Sequence, residues 1–523
     1  MVSRIQQSLS FHDSPESFIS SRLQQLSVSD AGSLPSPERP QSIVKASILN
    51  RNVHIISSYR LCKAILNGNV TAGSDLDRDE DDHTAVMIST TGDVDDDQPV
   101  FVAEPAYKQF MSAFFPGPNI LLQDGPRHTS SKERWKRRMD DVVSEMSGLE
   151  NMIRKLTQEC FVDPVLRSAA GSRTGASIDL YDAMKSLSWD LLFGIFLGLS
   201  RTNEKTEFAK WEKLQEDLLR GQFSLFPVPV RTPFWSSPRT KGLDAVKHLQ
   251  ELLAKRLDQL ERLESRGPKT ASACPFMQHT RGHAEQGEEE QSFDEDDMVA
   301  HLLVFTSSIA NKALASLLTA FLMNLFLWRD GKGGSASSLA QLVRSQENEA
   351  TKGRMLESIL SETKRLSPPV VGVMRRVKQD IVLRPSGIGS DRGWSDSDYA
   401  VSNGHDAWLY LAGASRDPDV FEKADSFIWD RYVSDEMLDH GFAFGGGVKT
   451  CLGDAFANQI CLTSAKTILE SGLSLRGTVT DPGVKHWLGW EKNVPLETIA
   501  KDLKQLPCQR PRRPINVDAI LAS

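Results

Sequence analysis

The stretch FGGGVKTCLG, residues 444–453, places one cysteine on an unusually open backbone. Three consecutive glycines precede Cys451 and Gly453 follows it. Few side chains therefore crowd the sulfur, and backbone angles that other residues disfavour become available. A thiolate is a soft, strongly donating ligand, and haem iron is one of the metal centres that it serves. The stretch predicts a cysteine that approaches a flat cofactor closely.

The residues that follow strengthen this interpretation. CLGDAFANQICLTSAKTILE, 451–470, has the apolar pattern of a helix, and its positive N-terminal end would lie near the sulfur and favour the thiolate. The chain has no CxxC spacing and no paired metal spacing. We therefore expect free thiols in a reducing compartment. The other five cysteines are Cys62, Cys160, Cys274, Cys461 and Cys508.

Composition narrows the class of protein. The chain has 523 residues, of which 40% are apolar and 25% charged, as in ordinary globular proteins. The formal net charge of -8 argues against a nucleic-acid binder. A local basic run, KERWKRRM at 132–139, suits an anionic ligand. No apolar run in residues 1–45 has the length of a transmembrane helix, so we expect a cytoplasmic protein, or one peripheral on an intracellular membrane.

We expect the chain to divide into an N-terminal segment without a membrane anchor, residues 1–45, and a single domain, residues 46–523, that carries the cysteine and its cofactor. The acidic run at 73–98 and the polar run at 266–297 are predicted to be mobile insertions. The segment FSLFPVPVRTPFW, 223–235, contains three prolines among aromatic residues and is not a regular helix. It is either a packed connector or an apolar lip over a pocket or a membrane surface.

Residues 298–328 predict a helix of about 30 residues that is apolar nearly all round, and therefore runs through the centre of the protein. Ser292 and Glu295 form a possible capping box at its start. Residues 354–367 predict an amphipathic helix that ends at Pro368-Pro369. The strand-like runs are few and short.

Several of these residues resemble the motifs of the cytochrome P450 family. Residues 444–453 match its haem signature F-x-x-G-x-x-x-C-x-G. Glu362 and Arg365 match its E-x-x-R helix motif, and the stretch before the haem loop places Arg431 as the third member of a Glu-Arg-Arg triad. We interpret the triad as structural, a charge network that fixes the haem loop rather than a catalytic group.

The resemblance implies a mainly α fold with small β-sheets and haem b between a long central helix and the Cys-bearing loop and helix. Cys451 would be the axial thiolate, with Phe444, Gly447 and Gly453 shaping the loop around it. Lys449 stands where the family usually has arginine, and lacks the bidentate fork.

The resemblance also implies cations for the haem propionates. They are Lys449, Arg375 and His128, with Trp135 beside them. Arg138 has an equally good interpretation as part of a solvated helix face.

The family's A-G-x-(D/E)-T pattern on the long helix relays protons during oxygen activation. One register places Ser308, Asn311 and Lys312 there, so that an amide replaces the acid and a lysine replaces the alcohol. A shift of four residues offers Ser307 and Ser308 instead. Either these serines and a water chain carry out ordinary oxygen activation, or the substrate already contains an activated oxygen.

The favoured function is a haem-thiolate monooxygenase that hydroxylates or desaturates a hydrophobic small molecule, such as a lipid, a sterol or a secondary metabolite. It would use O₂ and electrons from a separate NADPH-dependent reductase. The alternatives are a haem-thiolate isomerase acting on a peroxide-type substrate and a non-catalytic haem-binding protein.

Overall fold

The computed structural model describes most of the chain in separate ranges. They are 2–29, 43–48, 51–68, 87–90, 99–144, 146–170, 176–224, 228–266, 274–276, 294–328, 337–384, 399–434, 439–476, 479–480, 493–494 and 502–521.

Helices form most of the described structure. In chain order they are α1 (Val2–Asp13), α2 (Pro15–Ser29), α3 (Tyr59–Asn67), α4 (Glu104–Met111), α5 (Gly125–Ser144), α6 (Met146–Thr157), α7 (Asp163–Ala170), α8 (Leu180–Leu197), α9 (Lys205–Gln222), α10 (Pro238–Arg266), α11 (Glu295–Phe305), α12 (Ser308–Phe326), α13 (Leu339–Arg344), α14 (Glu349–Leu366), α15 (Leu411–Ala414) and α16 (Asp454–Glu470). A π-helical turn, Gln158–Val162, joins α6 to α7, and a 3₁₀ turn, Gly447–Lys449, precedes Cys451.

The strands are short. They are β1 (Ile43–Ile48), β2 (Arg51–Ile56), β3 (Met87–Thr90), β4 (Phe101–Val102), β5 (Ala176–Asp179), β6 (Val373–Val377), β7 (Ile381–Arg384), β8 (Tyr399–Val401), β9 (Asp406–Leu409), β10 (Leu473–Arg476), β11 (Val479–Thr480), β12 (Asn493–Val494), β13 (Leu503–Lys504), β14 (Arg510–Pro511) and β15 (Asn516–Leu521). The largest sheet has the order β1-β2-β9-β6-β4, and only β2 and β9 in it are parallel. The orders β10-β15-β5 and β3-β7-β8 form two smaller sheets, and two hairpins complete the set. The predicted mainly α fold with small sheets is confirmed.

The long central helix differs from its prediction because it is broken. The helix α11 ends at Phe305, Ser307 has extended angles, and its hydroxyl accepts a hydrogen bond from the Ala310 N–H at 3.2 Å, which starts α12. The Thr306 hydroxyl donates back to the Leu302 carbonyl at 2.7 Å. A Thr-Ser-Ser run supplies the side-chain caps that compete with helix continuation. The single helix predicted over 298–328 was therefore wrong at this point.

The start of α11 also differs from its prediction. The Asp294 carboxylate accepts the Asp297 N–H at 2.6 Å and is the N-cap, so the predicted capping box of Ser292 and Glu295 does not begin this helix. Ser292 lies outside the described residues. The segment Glu295–Phe326, which includes the break, is long and apolar enough to cross a membrane. However, 67% of its most apolar stretch is buried inside the protein. Such burial is expected of a helix through the core.

The N-terminal helices share a core with the largest sheet. Phe11 meets Trp408 edge-on at 4.8 Å between ring centroids, and Phe18 and Ile19 are buried in the same cluster. The predicted boundary between residues 45 and 46 falls inside β1. The strand β1 is hydrogen-bonded into the sheet on both sides of this point, and the division there stays a prediction.

The two predicted insertions lie largely outside the described residues. Within 73–98, the strand β3 pairs with β7, and residues 294–297 of the second insertion begin α11 with their N-cap. These parts are ordered elements rather than insertions.

Candidate functional site

Backbone hydrogen bonds hold Cys451 in a tight loop. Its N–H donates to the Phe444 carbonyl at 2.8 Å, and the Gly453 N–H points to the Cys451 sulfur at 3.3 Å. The Phe444 ring lies 5.7 Å from the Lys364 ammonium of α14. A Cβ on Gly453 would stand 3.7 Å from the sulfur, in ordinary contact. The loop thus presents one thiol together with one N–H donor.

Gly447 also fits the loop against a neighbouring helix. Its φ is +59°, and a Cβ there would lie 2.0 Å from the Leu66 carbonyl oxygen. The glycine therefore lets the loop press against the end of α3, because any side chain would collide with backbone. The missing side chain thus makes room for α3 as well as for any cofactor beside the loop.

Cys451 is exposed in the structure, although protein atoms pack closely around its sulfur. Burial raises the pKa of this thiol; the Gly453 N–H opposes the rise, Asp454 adds to it, and the Lys132 charge lowers it. An exposed cysteine whose sulfur packs against protein suits a metal ligand that a bound cofactor would cover. A bound metal would add its own, larger stabilisation of the thiolate.

Basic groups from three parts of the chain gather near this loop. His128 and Lys132 lie one turn apart on α5, Arg375 lies in β6, and Lys449 lies in the Cys loop. The Lys132 ammonium donates to the Val448 carbonyl at 2.7 Å. Lys132 was not among the predicted site residues, although its spacing of four from His128 places both on one helix face.

The charges of these groups act on one another. Burial lowers the pKa of His128 to about 4, with further lowering by Lys449 and Lys132. Burial also lowers the pKa of Lys449, although Asp124, whose carboxylate lies 2.9 Å away, raises it. His128 is therefore neutral near pH 7, and the three cations Lys132, Arg375 and Lys449 form a site for anions.

Haem fits this arrangement. The described residues contain no group of three or more His, Cys, Asp and Glu that could hold a metal ion, so the lone thiol would act as a single axial ligand. Haem carries two carboxylates, and Lys132, Arg375 and Lys449 are cations of the required sign. Lys449 is already paired with Asp124, and its ammonium also contacts the Gln123 carbonyl.

Trp135 and Arg138 lie deeper along α5, in the aromatic core. The Trp135 ring stacks on His301 at 4.4 Å between centroids. Arg138 is 5% exposed and donates to the Phe276 carbonyl at 3.2 Å. The solvated-face alternative for Arg138 is therefore wrong. Both side chains serve the packing of α5 against α11, and the role of Trp135 beside the propionates stays a prediction.

The structure brings Glu362, Arg365 and Arg431 together. Two guanidinium nitrogens of Arg365 donate to the two oxygens of Glu362 at 2.8 Å each, and the Arg431 Nε donates to the Glu362 Oε2 at 3.0 Å. Glu362 and Arg365 are both 0% exposed. Arg365 also donates to the carbonyls of Ser415, Ala424 and Ser426, which fixes the segment that leads to the Cys loop.

The three predicted oxygen-activation residues diverge. Asn311 donates through its Nδ2 to the Lys185 carbonyl of α8 at 3.1 Å, and Lys312 pairs with Glu216 of α9 at 2.9 Å. These two side chains therefore hold helices together. The Ser308 hydroxyl is buried and has no hydrogen-bond partner among the described residues. It remains the candidate closest to the helix break.

The break in the central helix lies toward the Cys451 side of the core. The Phe305 ring, just before the break, is 5.6 Å from Phe196, and Phe196 is 5.6 Å from Phe456 in the first turn of α16. Three aromatic rings thus connect the break to the helix that follows Cys451. The break and the first turn of α16 therefore contact the same aromatic residue, Phe196.

A family model described as Cytochrome P450 matches residues 93–471. Among curated proteins, cytochrome P450 120 of Synechocystis is 26% identical over 345 residues, which are 60% of this chain and 69% of that protein. Cytochrome P450 26B1 of Xenopus tropicalis is 26% identical, over 65% of this chain and 63% of its own length. Lanosterol 14-alpha demethylase of Mycosarcoma maydis is 24% identical, over 55% of this chain and 57% of its own length. The chain thus spans less than two thirds of the latter two.

Solved structures share the fold over nearly the whole chain. Retinoic acid bound cyanobacterial CYP120A1 has a TM-score of 0.59 at 18% identity and covers 92% of each chain. A mutant of cytochrome P450SP alpha has a TM-score of 0.61 at 14% identity and covers 99% of each chain.

Proposed function

The chain belongs to the cytochrome P450 family, whose cofactor is haem with a cysteine thiolate on the iron, and from this we propose that it is a monooxygenase of a hydrophobic small molecule. The observation that carries the proposal is the Cys451 loop, in which a single thiol receives the Gly453 N–H at 3.3 Å. A donor at this distance disperses charge on the sulfur and tunes how strongly it donates to a metal. Family members are oxidoreductases that use O₂ and a redox partner.

In this proposal Cys451 binds the iron, and Arg375, Lys132 and Lys449 hold the haem carboxylates. The haem supplies the oxidative chemistry when bound. Glu362, Arg365 and Arg431 keep the segment before the Cys loop in place, since the pair is buried and its hydrogen bonds are satisfied. The Ser307–Ser308 break supplies hydroxyls that bind water and pass protons, in place of the engaged Asn311 and Lys312.

We place the substrate among lipids, sterols and secondary metabolites. Two of the relatives bear on this only by name: one is a lanosterol demethylase, and one solved neighbour contains retinoic acid. Lanosterol and retinoic acid are both largely apolar molecules. An apolar substrate would suit the apolar side chains that α11 and α12 contribute to the core.

Reduction of the haem-loaded protein in the presence of carbon monoxide tests the assignment. We expect the long-wavelength Soret band of a thiolate complex, and its loss in Cys451→Ala. Cys461→Ala is the matched control, because Cys461 is a buried free cysteine in α16, the same helix that follows the loop. A band that survives in Cys451→Ala, or that disappears equally in Cys461→Ala, contradicts the assignment of the ligand.

The proposed electron donor is a separate NADPH-dependent reductase, and the proposed location is the cytoplasm or the surface of an intracellular membrane. Reconstitution with a reductase tests the electron donor. Fractionation of the native protein tests the location. Product formation that depends on NADPH, reductase and O₂ supports the monooxygenase.

One observation favours a second candidate. Asn311 and Lys312, the residues aligned with the proton relay, are engaged by Lys185 and Glu216. An isomerase acting on a hydroperoxide needs no such relay. Conversion of a fatty-acid hydroperoxide without reductase, together with no product in the complete NADPH system, would replace the monooxygenase with this candidate.

A further inference from the structure

A chain of three polar side chains links α14 to the first turn of α16. The Lys364 ammonium donates to the Asn458 Oδ1 at 3.1 Å, and the Asn458 Nδ2 donates to the Asp454 Oδ1 at 2.7 Å. All three side chains are half-buried. The function proposed above uses none of them. One amide thus connects a cation on one helix to a carboxylate on another.

The cation of this chain also contacts the Cys loop. The Lys364 ammonium lies 5.7 Å from the centroid of the Phe444 ring, at a distance where a cation is attracted to an aromatic face. The Phe444 carbonyl accepts the Cys451 N–H at 2.8 Å. Lys364 stands between Glu362 and Arg365 on α14, and both of these side chains are fully buried and paired with each other. The position of the cation beside the loop is therefore fixed.

The carboxylate of this chain lies on the other side of Cys451. Asp454 is the first residue of α16 and directly follows Gly453, whose N–H points to the Cys451 sulfur at 3.3 Å. The carboxylate is therefore at the end of the helix that faces the sulfur. Charges in such a half-buried place are screened less than charges in water, so they act on a neighbouring sulfur.

The amide of Asn458 fixes the arrangement of the two charges. Its oxygen faces the Lys364 ammonium and its nitrogen faces the Asp454 carboxylate, so both ends of the amide are satisfied. Burial lowers the pKa of Lys364, and the charge of Asp454 opposes this effect. A carboxylate in the first turn of a helix is favourable in itself. The start of α16 does not, however, account for the lysine that α14 supplies.

We propose that Lys364, Asn458 and Asp454 are positioning residues that set how strongly the Cys451 sulfur donates electrons to a bound haem iron. The Asp454 anion increases the donation, the Lys364 cation decreases it, and Asn458 holds the two charges at their places. An anion beside the thiolate disfavours the addition of an electron to the haem, so the balance of the two charges sets the reduction potential. The proposal rests on the proposed function, because it needs haem on Cys451, but it does not depend on the substrate.

A redox titration of the haem-loaded full chain, with dithionite and mediator dyes, tests the proposal. Asp454→Asn keeps an acceptor for Asn458 and removes only the charge, so reduction should become about fivefold to tenfold more favourable. A tenfold change corresponds to about 59 mV for one electron. Lys364→Met should shift the potential by a similar amount in the opposite direction, and Lys364→Arg should keep the parent's potential. The double variant Asp454→Asn/Lys364→Met should return close to the parent.

The C–O stretching frequency of the carbon monoxide complex gives a second measurement. It should rise in Asp454→Asn, because a weaker sulfur donor leaves less electron density on the iron, and it should fall in Lys364→Met. The control is Glu470→Gln, which removes a carboxylate from the last residue of the same helix. Glu470 lies roughly 24 Å along the helix axis from Asp454, beyond the screening length in salt, so this variant should keep the parent's potential.

The two opposite shifts distinguish this role from a structural one. Variants that only loosen the loop would lower the melting temperature and would not move the potential in opposite directions. An unchanged potential in Asp454→Asn, or a shift of the same sign in Asp454→Asn and Lys364→Met, overturns the proposal while the carbon monoxide band of the parent stays intact. A parent without that band overturns the haem assignment and this proposal together, so the two failures are distinguishable. If Lys364→Met does not retain haem, Asp454→Asn and Lys364→Arg still decide the outcome.

Discussion

Substitution of Gly447 by alanine tests whether the Cys loop depends on its contact with α3. The new Cβ would meet the Leu66 carbonyl oxygen at 2.0 Å, its carbon at 2.6 Å and the Asn67 Cα at 2.9 Å. The left-handed φ of +59° adds about 1–2 kcal/mol for a residue with a Cβ. Collision with backbone adds about 1–3 kcal/mol, as overpacking does elsewhere. Together these predict a loss of about 2–5 kcal/mol in the free energy of unfolding, or displacement of the loop.

Gly404→Ala is the matched control, because Gly404 has a φ of +79° and nothing within 4 Å of the added Cβ. This variant should lower the free energy of unfolding only by the cost of a left-handed backbone, about 1–2 kcal/mol. Urea unfolding measures both variants, and the amplitude of the carbon monoxide band per protein measures the loop. Equal losses in the two variants, with a full band in Gly447→Ala, would refute the contact as the reason for the glycine.

Two further predictions concern buried charge. Arg365→Met should lower the free energy of unfolding by about 3–5 kcal/mol because it leaves Glu362 short of a counter-charge. The double variant Glu362→Gln/Arg365→Met should recover part of this loss, and an equal or larger loss in urea unfolding would contradict the explanation. His54 is 1% exposed, and burial, with His405 and Lys45, lowers its pKa to about 4. The unfolded chain therefore takes up this proton first, so stability should fall by up to about 3 kcal/mol as the pH drops from about 6.5 to 4. His54→Gln should flatten that slope, and an unchanged slope would contradict it.

The parts of the site that the sequence predicted are those set by local spacing. Cys451 and its glycines lie within ten residues, and Glu362 and Arg365 lie one turn apart on one helix. The amphipathic pattern of residues 354–367 also predicted α14 and its end before Pro368. In each case the signal and the structure occupy the same short range of chain.

The parts that the sequence did not predict depend on distant partners. Lys132 contacts a carbonyl 316 residues away, and nothing near it in the sequence indicates that partner. Asp124 pairs with Lys449 only because the residue before α5 and the Cys loop meet in space. The run Thr-Ser-Ser could have indicated the break at Ser307, because these side chains cap helices. The apolar pattern on both sides instead predicted one continuous helix.

Lys312 shows how such a distant partner changes the interpretation of a motif. Burial lowers its pKa, and the carboxylate of Glu216 opposes that effect. Burial raises the pKa of Glu216, but Lys312 and Lys185 outweigh it, so the carboxylate stays ionised. A lysine in the central helix is thus tolerable because α9 supplies its counter-ion, and removal of either partner leaves a charge in the interior. The lysine belongs to the packing of α9 on α12, and the proton transfer that we propose falls to the hydroxyls of the Ser307–Ser308 break, one turn earlier.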